Sequence, residues 1–385
     1  MRFRDALAGP GLGAIAEIKR RSPSLGDIRP DADSAVLARD YASAGAAAVS
    51  VLVDERFGGT WDDLRAARAS TGVPLLAKGF FSTDEHLRTA KEAGADAVLL
   101  LLRDLDDDSV RSLMQLARDL GLDALVEAHD ADELERAVIV GAPIIGVNAR
   151  DLSTFEIDRD TQLALVARVP ADRIAIAESG IRTRAQGAAA ELAGADAILV
   201  GSTLMQAPDP AATLRELLRR PLVKVCGLTR AEDVAVAAAA GADLAGFVLA
   251  PESPRAAKDI LPVPDELLAV AVWVGEAGTS GAPVDQVHER EEGRIRGRNG
   301  VLLREGEQVA RLLDLPWEEE DPGHWDRAAA EPGRVMLAGR LGADNVAEAI
   351  RRVRPWAVDA SSRLESAPGI KDPAKVHAYV EAARS

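Results

Sequence analysis

Cysteine is almost absent. The chain of 385 residues has one, Cys226, which excludes a disulfide framework and any multi-cysteine zinc site. Histidine is scarce as well, five in all and scattered, so a resident metal is not expected. No apolar run approaches the roughly 18 residues that would span a bilayer, and Met1–Leu12 lacks the apolar core of a secretory leader. Basic residues are outnumbered, 46 Lys+Arg against 62 Asp+Glu, a net charge of −16. Such a surface has no electrostatic footprint for nucleic acid, yet a local pocket of cations and N–H groups can still hold a small anion. Aromatics make up only 3%. A globular protein of the cytoplasm, without nucleic-acid or membrane partners, is the expectation.

What is present is a strong beat. Short β-type runs alternate with Ala/Leu/Arg/Glu stretches of helical period. The runs are Ala14–Arg20, Ala46–Asp54, Pro74–Phe80, Asp96–Leu102, Asp123–His129, Ile144–Arg150, Arg173–Ser179 and Asp196–Ser202. Their starts lie roughly 21 to 32 residues apart, enough for a strand, a loop and a helix. Several follow Gly45-Ala46, Gly94-Ala95-Asp96, Gly141-Ala142 or Gly194-Ala195-Asp196, in which Gly caps a helix just before a strand. Eight such units predict a (β/α)8 TIM barrel. A doubly wound open sheet is the alternative, but it calls for a Gly-rich first turn that is missing.

A closing helix and linker cover residues 208–220, and a second beat starts with Leu222–Gly227, Leu244–Ala250 and Ala269–Gly275. It fades between Glu276 and Arg334, which is polar and Gly-rich and includes the acidic run Trp317–Asp321, and returns at Val335–Gly339 and Trp356–Ala360. Only 165 residues follow Arg220 (385 − 220), fewer than the roughly 200 of a full barrel. The fold class is therefore α/β, two TIM barrels in tandem (1–207 and 221–385), the second shortened in its middle. Fewer than eight strands and an exposed sheet edge are expected there.

Barrel chemistry sits at the C-terminal strand ends, where polar residues collect. Glu17 and Lys19 end the first run and share one side. Lys78 ends the third, Glu127 the fifth, Asn148 and Arg150 the sixth, Glu178 and Ser179 the seventh, Gly201 and Ser202 the eighth. Two lysines among three glutamates suit acid–base work on a phosphorylated sugar. Ser22, Gly180, Gly201 and Ser202 fit a phosphate cradle.

Ile15-Ala16-Glu17-Ile18-Lys19-Arg20-Arg21-Ser22-Pro23-Ser24 resembles the opening signature of the indole-3-glycerol phosphate synthase family. Leu76–Phe80, Leu125–Glu127, Gly146–Leu152, Ala177–Ile181 and Val200–Ser202 continue the likeness in order, from about Arg2 to Met205. Gly79 departs from the Asp that the family usually has after its catalytic Lys, and the N-terminus is short against the family's helical extension. The resemblance implies decarboxylating closure of 1-(2-carboxyphenylamino)-1-deoxyribulose 5-phosphate, without a cofactor. It makes Lys78 the general acid at the carbonyl. Lys19 and Glu127 share the closure and dehydration, and Glu17 and Glu178 orient substrate and lysines. Asn148 and Arg150 lie at the anthranilate side, and Ser22, Ser179, Gly180, Gly201 and Ser202 lie at the phosphate.

The second half resembles phosphoribosylanthranilate isomerase, through Val223–Thr229, Ser253-Pro254-Arg255, Leu337–Gly342, Asp359–Glu365 and Pro368–Asp372. That likeness implies an Amadori rearrangement with Cys226 as base, Asp314 as acid, Arg255 on the substrate, and Gly339 and Ser361 on the phosphate. It departs at Leu315–Glu320, which replaces a Gly-rich stretch, and at Arg340, which replaces a glycine. The reading is a fusion enzyme of tryptophan biosynthesis that acts on phosphorylated anthranilate sugars, with other enzymes of the pathway as its implied partners. The rivals are a synthase with a degenerate second domain and a phosphosugar-binding protein without catalysis.

Overall fold

The computed structural model describes residues 2–9, 11–151, 154–292, 297–316 and 320–385. Leu152 of the sixth-strand motif and Trp317–Glu319 of the acidic run lie outside the described residues. The chain divides into two compact units, Met1–Thr183 with Gly187–Leu218, and Arg219–Ser385 with Arg184–Gln186.

The first unit is a closed barrel. Its strands are β1 (Gly13–Ile18), β2 (Ala48–Leu52), β3 (Leu75–Lys78), β4 (Ala97–Leu101), β5 (Asp123–Ala128), β6 (Ile144–Asn148), β7 (Ile174–Glu178) and β8 (Ala197–Val200). Each pairs in parallel with its sequence neighbours, and β8 returns to β1 with Gly13 opposite Ala197. The Gly-Ala-Asp signals do two jobs here. Gly94 and Gly194 take φ of 94° and 106°, the left-handed cap that ends each helix. The carboxylates of Asp96 and Asp196 then accept the N–H groups of Leu75 and Ala175 on the preceding strands, both at 2.8 Å.

Strand alternation sorts the side chains into two cores. Ala14, Ala16 and Ile18 of β1 point outward to the helices, while Ile15 points inward. Ile15, Leu76, Leu125, Ile176 and Leu199 fill the lumen with Phe3 and Leu7 of the helix Phe3–Leu7. Two residues further along, on the same inward face, come Glu17, Lys78, Glu127, Glu178 and Gly201. The apolar layer is a floor, and the next layer up carries the charges.

The second unit has β9 (Leu222–Cys226), β10 (Leu244–Val248), β11 (Leu268–Val274), β12 (Val284–His288), β13 (Asn299–Arg304), β14 (Glu307–Leu313), β15 (Val335–Leu337) and β16 (Ala357–Ala360). This corrects the expectation of missing strands and a bare edge: eight strands close, with β16 against β9. The economy is in the connections. Among the described residues, helices follow only β9, β14, β15 and β16. Strand β13 runs antiparallel to both β12 and β14, so it needs no crossover helix. A two-residue turn, Glu305-Gly306 with φ of 51° and 83°, makes the β13–β14 hairpin. That hairpin went unread because Glu stands where Asn or Asp usually announces such a turn, and because β14 buries only one face.

Candidate active site

Charged side chains from four strands of the first barrel converge on one ammonium. Lys78 Nζ donates to Glu178 Oε2 at 2.8 Å and lies 3.3 Å from Glu17 Oε2 and 3.9 Å from Glu127 Oε2. Lys19 Nζ pairs with the other Glu17 oxygen at 3.0 Å. All three glutamates are buried. Two glycines make the room. A Cβ on Gly146 would stand 2.1 Å from Glu178 Oε1, and one on Gly201 2.3 Å from Glu17 Oε1.

The neighbours set distinct charge states. Burial alone would lower Lys78, but Glu178, Glu17 and Glu127 hold it well above the ordinary lysine value, as an ammonium. Burial would raise Glu127, yet His129, Lys78 and Asn148 bring it well below the ordinary carboxylate value. Glu17 is likewise lowered, by Lys19 and Lys78 against its burial. Glu178 goes the other way. Burial outweighs the opposing Lys78 charge and, with the nearby Glu127 charge, raises it above the ordinary carboxylate range. Two carboxylates driven apart in this manner can take opposite acid–base parts.

The other candidates lie around this cluster. Asn148 Nδ2 donates to Glu127 Oε1 at 3.0 Å, and its own Oδ1 accepts from the Arg150 N–H at 3.0 Å. Arg150 donates from Nη1 to Phe155 O at 3.0 Å and to Ser24 Oγ at 3.4 Å. Ser22 is buried in the loop after β1, where its Oγ accepts from Leu25 N at 3.1 Å. Ser179 and Gly180 carry positive φ directly after β7, and Gly201 caps the short helix Ser202–Gln206 after β8. Sequence reasoning missed two groups. His129 bridges Glu127 and Glu133 at 3.1 and 3.0 Å. Gln162 Nε2 ties together the backbone of β6 and β7 through Val147 O and Glu178 O at 2.7 and 2.6 Å. The spacing Glu127-x-His129 was the available signal for the first.

In the second barrel, Cys226, Arg255, Asp314, Gly339 and Ser361 line one cavity, Asp314 coming directly after β14. Burial and Asp359 raise the Cys226 thiol, against the pull of Lys224 and Lys371. Lys224, fully buried below it, donates to Gln286 Oε1 and Asp359 Oδ2, each at 2.9 Å. Gln286 Nε2 lies 3.0 Å from His288 Nε2, and His288 Nδ1 lies 3.8 Å from Asp314 Oδ2. Arg255 holds Glu365 through Nε and Nη2 at 2.8–3.0 Å. Gln286 and His288 went unrecognised because their strand was. Arg340 stands at φ 58°, a conformation that glycine adopts freely, and also lines the cavity.

The model of the indole-3-glycerol phosphate synthase family matches residues 1–217, and that of N-(5'-phosphoribosyl)anthranilate (PRA) isomerase matches residues 324–382. An indole-3-glycerol phosphate synthase from Nocardioides sp. is 50% identical over 208 residues, 54% of this chain and 80% of that one. The synthase of Mycobacterium ulcerans is 45% identical over 214 residues, 55% and 79% of the two chains. Among solved structures, TrpF from Jonesia denitrificans is 31% identical, covering 43% of this chain and 97% of its own, with a TM-score of 0.34. With a family match over more than half its length, joined to an isomerase match near its C-terminus, the chain belongs to the indole-3-glycerol phosphate synthase family of tryptophan biosynthesis.

Proposed function

We propose that the first barrel performs the synthase reaction with Lys78 as acid and Glu127 as base. The observation that carries this is Lys78 Nζ among three buried carboxylates, one of them held ionised and another pushed toward its protonated form. As the aromatic carbon that bears the carboxylate attacks the ribulose carbonyl, Lys78 protonates the oxygen. An alkoxide is more basic than an amine, so even a lysine of raised pKa gives up its proton there. The carboxylate leaves as carbon dioxide and its electron pair restores the ring. Lys19 then protonates the departing hydroxyl while Glu127 takes a proton from the adjacent methylene. Two protons are given and one taken, so each turnover draws one from solvent. Glu17 and Glu178 hold the two lysines. Asn148 and Arg150 face the anthranilate side, and Ser22, Ser179, Gly180, Gly201 and Ser202 take the phosphate through hydroxyl and backbone N–H groups.

The second barrel is read as the site of the preceding isomerisation. Cys226 removes the C2 proton of the aminosugar and Asp314 protonates the ring oxygen as it opens, with Arg255 on the substrate and Gly339 and Ser361 at the phosphate. Arg340 and the lost glycines after Asp314 favour a weak activity. With one cysteine, a strongly acidic surface and small phosphorylated substrates, the same reading puts the enzyme in the cytoplasm, beside the other enzymes of the pathway. Assaying each reaction separately on the full chain tests both assignments. Lys78→Ala should abolish indole-3-glycerol phosphate formation and spare isomerisation, and Cys226→Ala should do the reverse. Retention of synthase turnover by the first variant would refute the role of Lys78.

A further inference from the structure

Glu127 and His129 leave the end of β5 on the same side, two residues apart. The imidazole lies between two carboxylates, Nε2 at 3.1 Å from Glu127 Oε1 and Nδ1 at 3.0 Å from Glu133 Oε2. Glu133 is itself fixed. The same Oε2 accepts the backbone N–H of His129 at 2.8 Å, and the Glu133 N–H donates at 2.8 Å to Asp130, which caps the helix Ala131–Ile139. Turning the ring would break its Nδ1 hydrogen bond to a Glu133 that is already held in place. Asn148 holds the same Glu127 oxygen, Oε1, from the other side at 3.0 Å. Glu127 Oε2 is buried, without a hydrogen-bond partner, 3.9 Å from the Lys78 ammonium.

We propose that His129 is a positioning residue for the synthase reaction: with Glu133 behind it and Asn148 opposite, it clamps Glu127 through Oε1, so that Oε2 alone faces the substrate as proton acceptor. The inference rests on the reading of Glu127 as base. A carboxylate free to rotate could present either oxygen or neither, and a small misplacement of a catalytic group costs rate steeply. Charge supports the geometry. Burial would lower His129, but Glu127 and Glu133 raise it to about 10, so at neutral pH it is an imidazolium, hydrogen-bonded through Nδ1 to Glu133 and paired by charge through Nε2 with Glu127. The other charged groups facing Glu127 are Lys78 from β3 and Glu178 from β7. On its outer side His129 shares a cleft with Arg103, Asp130, Arg150, Asp151 and Asp158.

The test is steady-state synthase kinetics against pH on the full chain carrying His129→Leu, His129→Gln or Glu127→Gln, with thermal melts of each. His129→Leu should lower kcat by roughly tenfold to a hundredfold near neutral pH with little change in KM. It should also move the acid limb of the kcat profile up by about one pH unit or more, because Glu127 loses its neighbouring positive charge. His129→Gln offers Glu127 an N–H without the charge, so it should recover most of kcat and keep the displaced limb. An unchanged kcat and limb in His129→Leu, or a pH-independent loss that merely follows a lower Tm, would overturn the proposal. Full activity in Glu127→Gln would instead overturn the reading of Glu127 as base, which separates the two failures.

Discussion

Replacing Lys78 by Met removes the one cation that three buried glutamates share. Its ammonium stands 2.8 Å from Glu178, 3.3 Å from Glu17 and 3.9 Å from Glu127. Removing one partner of a buried pair typically costs about 3–5 kcal/mol, because the remaining charge is left uncompensated. That is a large share of the roughly 5–15 kcal/mol that holds a domain folded. The cost has a predictable pH dependence. Lys78 helps hold Glu17 and Glu127 below the ordinary carboxylate value. A depressed carboxylate contributes stability that is present above its unfolded pKa and lost as pH falls through its folded one. The gap in Tm between the parent and Lys78→Met should therefore be widest at neutral to alkaline pH. It should close progressively below about pH 5, as pH falls toward the lowered values of Glu17 and Glu127. Turnover should fall by roughly 10²–10⁴, the worth of a positioned acid. Melts across this range, with synthase assays on the folded variant, measure both. A constant Tm gap, or near-normal turnover, would refute the shared-cation account.

Gly146→Ala puts a Cβ 2.1 Å from Glu178 Oε1 and 3.2 Å from Leu125 Cδ1; about 1–3 kcal/mol of overpacking is expected, and loss of synthase activity larger than the loss of stability explains. Unchanged kinetics would show that Glu178 needs no such fixed place. His129 is raised to about 10 from its ordinary 6.5, so its contribution to stability is fully present below about pH 6.5 and lost as pH rises toward 10; the Tm difference between the parent and His129→Gln should shrink over that interval, and a difference that grows would contradict the ion pairing. For the second barrel, isomerase kcat/KM below the ordinary range of roughly 10⁴–10⁸ M⁻¹s⁻¹ and its loss in Cys226→Ala are expected; a value inside that range would show that Arg340 and the missing glycines cost nothing.

The first barrel and the charged cluster of its candidate site are legible in the amino-acid order alone, while His129 and Gln162 are not. Strand alternation is a local property, so an apolar residue two positions before each charged one, Ile15 before Glu17 or Leu125 before Glu127, already places the charges on the inward face above an apolar floor. Cys226 closes a strand legible in the second half, whereas Asp314 is singled out only through the family resemblance, in a stretch where no strand is legible. How the charges are shared is a matter of barrel closure. Whether Glu127 and Glu178 differ in protonation depends on which oxygen meets Lys78, His129 and Asn148, groups that closure brings from other strands and loops. The completeness of the second barrel was hidden for a related reason. Strands β12 to β14 lack the crossover helices whose 3.6-residue period makes a parallel barrel legible, and the reversal of β13 is specified by its pairing with both neighbours rather than by any local apolar run. Periodicity reports what each segment buries, and the partners against which it buries it are set by contacts far apart in the chain.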